Sequence, residues 1–212
     1  MRLRSVALVS AAVAASGSAI AYPFLGETVP MHWNVHGQAD GWASKNAAAA
    51  FGPLLVLGLW GLFEITARID PRRPGLQHGG REAIYKAILP FMAALHLAVL
   101  ALGAGVIHDG TRLVFGLVGA LLVALGNYLG KVKPNWFAGI RTPWTLSNDE
   151  VWRRTNRLGG RTFVLAGLAT IALSLATSGE VLATGTLVLV GIAALVPAVY
   201  SYVVHRQLAA HR

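Results

Sequence analysis

The sequence predicts an all-α fold: a polytopic membrane bundle of six transmembrane helices, both termini cytoplasmic, with a short amphipathic interfacial helix before the fifth span. Three observations carry this. Hydrophobic residues make up 55% of the 212 residues and charged residues only 13%, against roughly 25% charge in a soluble domain; mean hydropathy is +0.56. Six apolar runs approach the length of about 20 residues that a helix needs to cross a bilayer core of about 30 Å. If these runs cross in turn, sixteen of the eighteen Lys and Arg fall on one side, against Lys45 and Arg112 on the other. The positive-inside rule makes the crowded side cytoplasmic. It also accounts for the net charge of +9 without nucleic acid, because cations spread over membrane-flanking loops mark topology and meet anionic lipid. The chain reads as one integral membrane domain, residues 1–212. An N-terminal region of about 10–67 holds an external loop, 26–46. A second region of about 110–177 holds a cytoplasmic loop, 130–161.

The first run is Ser5–Leu25. Met1-Arg-Leu-Arg followed by Ala19-Ile20-Ala21 has the outline of a cleavable signal with an A-x-A site. The long apolar region, and the stripe Ala7, Ala11, Ala15 and Ala19 suited to close helix packing, favour a retained span. The second run is Ala47–Ala67 and the third Tyr85–Ile107, with Pro53 and Pro90 expected in early helical turns, where they cost little. Between them Arg72, Arg73 and Arg81, with Gly75, Gly79 and Gly80, read as a solvated lipid-facing loop. The fourth run is Leu113–Leu129, lined by Gly116, Ala120 and Ala124. The fifth, Thr162–Thr177, carries Ala166, Thr170, Ser174 and Ser178 at the same spacing. Ser178-Gly179-Glu180 is a tight turn into the sixth run, Val181–Val203, which Pro197 should kink.

Polar groups inside the runs are few. His96 lies near the centre of the third, where an ionisable group should face the bundle. Its reading is open between a proton or substrate site and a neutral ring bonded to another helix. Glu64 and Asn127 lie near the cytoplasmic ends of the second and fourth runs. Glu64 is expected to pair with Arg141 and so pin the loop beneath the bundle.

In the external loop, His32, His36 and Asp40 have the spacing H-x3-H-x3-D, which would align them on a helix as weak candidates for metal. Gly37 and Gly41 argue against helix there, and an ordered structural loop is the plainer reading. As a recognition surface, the loop would present Trp33 and Trp42 as rigid apolar area, with His32, Asn34 and Asp40 as polar contacts. The chain has no cysteine, so it has no disulfide framework and no Cys-based zinc site.

The segment from Gly126 to Arg161 holds seven of the eighteen Lys and Arg and three of the six Trp. Pro134 stops the fourth helix, and Trp136 and Phe137 suit the interfacial belt. Ser147-x-x-Glu150 reads as a capping box. The helix it starts places Val151, Thr155 and Leu158 on one face and Arg153, Arg154, Arg157 and Arg161 toward the other, and is expected to end at Gly159-Gly160.

The run Lys133-Pro-Asn-Trp-Phe-Ala-Gly-Ile-Arg-Thr-Pro-Trp-Thr-Leu-Ser147, followed by Glu150, Val151 and Trp152, resembles the signature of the SdpI family of multi-pass bacterial membrane proteins. The family pattern commonly has His where this chain has Asn156. Pro30-Met-His-Trp-Asn34, Gly37, Asp40-Gly-Trp42 and Lys45 resemble the small domain of unknown function that opens many family members. The resemblance implies localisation in the bacterial inner membrane and immunity to a secreted membrane-active peptide toxin, met on the external side or within the bilayer. It also implies signalling to a cytoplasmic transcriptional repressor. It makes Asn135, Gly139, Arg141, Thr142, Pro143, Trp144 and Trp152 the residues of a structural clasp or docking face. Neither cofactor nor direct nucleic-acid binding is expected, and membrane lipid is a partner. The alternatives are a small transporter or channel using His96 and Glu64 and, ranked last, a membrane metalloenzyme: no nucleophile–base pair, P-loop or HExxH motif is present.

Overall fold

The computed structural model describes residues 2–34, 38–69 and 80–210. Along the described chain run α1 (Leu3–Ala21), a 3-10 turn (Tyr22–Phe24), β1 (Thr28–Trp33), β2 (Ala39–Ser44), α2 (Lys45–Ile69), α3 (Gly80–Gly103), α4 (Gly110–Leu129), α5 (Pro143–Ser147), α6 (Asp149–Ala176) and α7 (Gly179–Ala210). Six of the helices, all but α5, are long and apolar enough to cross a membrane. The six expected spans are therefore present. Arg72, Arg73, Gly75 and Gly79 lie outside the described residues.

The bundle is built as two three-helix halves. In one, α1, α2 and α3 pack on one another; in the other, α6 packs on α4 and α7; the α3–α4 seam joins them. The first half closes on Ala7, Ala11 and Ala14 of α1, Val56 of α2, and Leu89 and Ala93 of α3. The expected alanine stripe is followed only at its start, since Ala15 and Ala19 are exposed while Ala14 and Ser18 are buried. A helix turns 3.6 residues per cycle, so a strict spacing of four drifts about 40° per step, and the packed face moves to i+3 neighbours.

In the second half, glycines set the distance. A Cβ on Gly126 would stand 2.6 Å from the Gly160 carbonyl, and one on Gly160 would stand 2.7 Å from the Gly126 carbonyl. Gly119 and Gly167 repeat the contact at 2.8 and 2.6 Å. Two turns separate the pairs, so α4 and α6 run antiparallel with their backbones touching, as small residues permit in lipid. Of the expected small-residue stripes, Ala166, Thr170 and Ser174 are buried, but Ala120 is exposed and the closest α4 contacts are glycines.

Three local expectations change. The loop at 26–46 contains an antiparallel hairpin, pairing Thr28 with Ser44, Val29 with Ala43 and Pro30 with Trp42, with irregular register around His32. Val29 anchors it, fully buried with Leu25, Ala48 and Leu100, and a Cβ on Gly103 would meet the Val29 side chain at 2.7 Å. β2 runs directly into α2 at Lys45. The helices thus begin earlier than expected, and Pro53 and Pro90 lie inside α2 and α3, further from the helix starts than the early turns expected for them. The amphipathic segment after the signature is not a separate helix either. α6 runs unbroken through Gly159-Gly160, because those glycines are buried against α4 and the Leu129 and Ile140 side chains.

Candidate functional site

The end of the bundle opposite the hairpin is closed by the segment that leaves α4. Asn135 has no exposed surface. Its amide donates to the carbonyls of Lys133 (2.9 Å) and Ala138 (2.8 Å), and its Oδ1 accepts from the backbone N–H of Phe137 (2.8 Å) and Ala138 (2.7 Å). That uses every donor and acceptor position the amide has. Gly139 follows at φ +121°, where a Cβ would meet both the Trp152 ring and Asn156 Oδ1 at 2.9 Å. Trp152, 1% exposed, donates from Nε1 to the Val132 carbonyl at 2.8 Å. Asn156 Oδ1 accepts the Ile140 N–H at 2.8 Å, and its amide donates to the Trp152 carbonyl at 3.1 Å.

Thr142 and Thr145 then form a capping box at the start of α5, with Pro143 at its N-terminus. Thr142 Oγ1 also lies 3.0 Å from Ser201 Oγ on α7. Because Ser201 gives its own hydrogen to the Ala198 carbonyl at 2.6 Å, Thr142 is the donor. Trp144 packs tilted on Tyr202 of α7, ring centroids 5.0 Å apart. The signature thus ties the segment after α4 to α6 and α7. The expected capping box at Ser147 is replaced by Asn148, which caps α6 by accepting from the N–H groups of Glu150 and Val151. The Glu150 carboxylate instead pairs with Arg153 and Arg154.

The expected Glu64–Arg141 pair does not form. Glu64 accepts from Trp60 Nε1 at 3.2 Å, one turn earlier on its own helix. Arg141 is exposed and donates to the Trp136 carbonyl at 2.6 Å. Asn127 is exposed on α4, facing away from the bundle interior.

His96 is 5% exposed and sits where three helices meet. Its ring occupies the space above Gly52, where a Cβ would come within 2.1 Å. Its Nε2 lies 2.8 Å from Ser18 Oγ. Ser18 directs its hydrogen to the carbonyls of Ala49 (2.7 Å) and Ala14 (3.0 Å), so His96 donates to it from Nε2. Ser18 carried no signal of its own in the sequence; Pro53, four residues after Ala49, did.

At the hairpin end, β1 roofs a cavity of about 590 Å³. Its walls come from α3 (Leu95, Val99 and Leu102), α4 (Val114 and Phe115) and α7 (Ala183 and Leu187). Met31, His32, Trp33 and Asn34 lie along the hairpin side, and His108, Asp109 and Ser178 add polar groups. His32 Nδ1 lies 2.6 Å from Asp40 Oδ1 across the hairpin. Trp42 points outward, 59% exposed. Asn34 and Gln38 close the tip by a backbone bond of 2.9 Å. Lys45 stands over the Tyr22 ring at 4.4 Å. His36 and Gly37 lie outside the described residues. Among the described residues no group of three His, Asp or Glu could hold a metal. The helix residues of this cavity were not legible beforehand, because nothing marks them off from lipid-facing Leu, Val and Phe.

Residues 131–201 match the SdpI/YfhL protein family. This stretch includes both partners of the Thr142–Ser201 bond. Residues 9–57 match a domain of unknown function, DUF1648, which includes Ser18, Ala49 and Pro53. Over 193 residues the chain is 29% identical to the immunity protein SdpI of Bacillus subtilis (strain 168), covering 90% of each chain. No solved structure matches. With six apolar helices, these relationships make it a multi-pass protein of the bacterial inner membrane.

Proposed function

We propose that this chain, a member of the SdpI/YfhL family, is a membrane immunity protein that shields its cell by holding an apolar segment of a secreted, membrane-active peptide in the cavity under the hairpin. Binding alone does this; no covalent step is involved. The observation that supports the site is the cavity itself. Its volume of about 590 Å³ lies within the roughly 300–1,000 Å³ of ligand pockets, and apolar walls with a few convergent polar groups are the usual make-up of such sites. Trp33 supplies a rigid anchor, and His32, Asn34, His108 and Asp109 offer partners for peptide backbone.

The hairpin end faces outward in this reading. Lys45 and Arg112 are its only cations among the described residues, while Arg2, Arg4, Arg68, Lys86, Lys131, Lys133, Arg141 and the arginines of α6 gather at the other end. The signature is then a cytoplasmic brace. Its Asn135, Thr145, Trp152 and Asn156 are buried, and signalling to a cytoplasmic repressor would fall to what it leaves exposed, Lys133, Trp136, Arg141, Pro143 and Ser147. A transporter centred on His96 and Glu64 is less favoured, since Ser18 and Trp60 already engage both.

The test is protection of a sensitive host. The chain is expected to raise survival against peptides secreted by neighbouring cells. Ala183→Trp, which fills the cavity from α7, should abolish protection at unchanged membrane abundance, while Trp42→Ala should not. Protection by Ala183→Trp equal to the parent would exclude the cavity, and no protection by the parent would exclude immunity. Because the chain has no cysteine, Gln38→Cys and Ser147→Cys report orientation. An impermeant maleimide should reach only the first in intact cells.

A further inference from the structure

We infer that a groove on the outer face of α4 and α6 is a specific site for an anionic phospholipid. Lys131, Arg157 and Arg161 hold its phosphate, and an acyl chain lies along Val164 and Leu165. The groove encloses about 560 Å³. It exists because Gly126 and Gly160 touch backbone to backbone, leaving a floor without side chains. No acidic residue lines it.

The cations differ from their neighbours on the same helix. Arg153 and Arg154 share the Glu150 carboxylate. Arg157 and Arg161, one and two turns further on, are exposed and have no carboxylate partner among the described residues. Lys131 joins them just past the end of α4, its Nζ 5.3 Å from the Tyr128 ring centroid. Asn127, also on the groove, adds an amide donor. Arginine forks and a lysine around one opening are the donor set for a phosphate.

The apolar half of the groove selects the source of that phosphate. Leu165 is 66% exposed on a membrane-spanning helix, one turn beyond Arg161, where hydrocarbon rather than water is the neighbour. A free phosphate would leave that surface uncovered, and an acidic soluble protein would not reach it. A phospholipid of the same leaflet covers both halves at once, with its headgroup at the depth where the cations emerge.

The experiment is native mass spectrometry of the purified full chain in detergent, titrated with phosphatidylglycerol, phosphatidylcholine or glycerol 3-phosphate. Phosphatidylglycerol should bind with resolved stoichiometry and phosphatidylcholine at least about tenfold more weakly. Lys131→Gln/Arg157→Gln/Arg161→Gln should lower phosphatidylglycerol affinity about tenfold or more, while the charge-matched Lys133→Gln/Arg153→Gln/Arg154→Gln changes it less than about threefold. Arg161→Gln alone, an exposed change that disturbs no packing, should cost about threefold. Equal losses in the two triple variants would reduce the effect to net charge and overturn the site. Full competition by glycerol 3-phosphate would assign the groove to free phosphate instead.

Discussion

The Ser18 hydroxyl of α1 donates to the Ala49 carbonyl of α2 at 2.7 Å, and the cause is Pro53. In a helix the carbonyl of residue 49 would accept from the N–H of residue 53, which proline lacks. In a bilayer an orphaned carbonyl finds no water, so a neighbouring helix must satisfy it. The same solution recurs in the other half: Pro197 frees the Ala193 carbonyl, and Thr162 Oγ1 of α6 donates to it at 2.9 Å. His96 completes the first site by donating to Ser18.

A double-mutant cycle tests this arrangement. Ser18→Ala strands the Ala49 carbonyl and the His96 N–H, and is expected to destabilise by about 2 kcal/mol. With Pro53→Ala in place the helix bonds its own carbonyl, and the cost of Ser18→Ala should fall by about half, leaving the His96 share. Thr162→Val should behave the same way toward Pro197→Ala. Unfolding in detergent measures all of these; equal penalties with and without the prolines would disprove the coupling.

The α4–α6 contact makes a second expectation. At Gly126 a Cβ meets main-chain oxygen at 2.6 Å, so the helices must separate for alanine to fit. Gly126→Ala and Gly160→Ala should each cost about 1–3 kcal/mol. Gly58→Ala, with nothing within 4 Å of its Cβ, should be neutral or slightly stabilising, since alanine is the better helix former. Thermal unfolding compares the three, and similar midpoints for all would show that the close approach is dispensable.

How far the sequence revealed this molecule depends on which force was at work. The six spans were legible because bilayer crossing is a matter of length and apolar content. Their ends were not: Lys45 starts a helix straight from a strand, and Gly159-Gly160 continue one because tertiary contact outweighs their weak helix propensity. The hairpin was hidden because Pro30, Gly37 and Gly41 interrupt the strand alternation, and only Val29 of β1 is fully buried. In the signature the unusual residues were visible as a group, yet their roles needed partners distant in sequence. Asn156 meets Ile140, and Thr142 meets Ser201. Glu64 and Arg141 looked complementary as charges, but each found a nearer partner with less chain to order.

Asn156 carries the last expectation. Its Oδ1 is the acceptor for the Ile140 N–H at 2.8 Å, immediately after the turn at Gly139, in a position with 1% exposure. An acceptor two bonds from Cβ is what the site requires, and a neutral His offers one at Nδ1, in keeping with the family pattern of His here. Asn156→His is therefore expected to cost less than about 1 kcal/mol, and Asn156→Leu, which buries the Ile140 N–H unpaired, about 2–3 kcal/mol. Hydrogen exchange at the Ile140 amide reads the bond directly: protection should persist in the His variant and fall sharply in the Leu variant. Fast exchange at Ile140 in the parent protein would mean that Asn156 does not hold the turn.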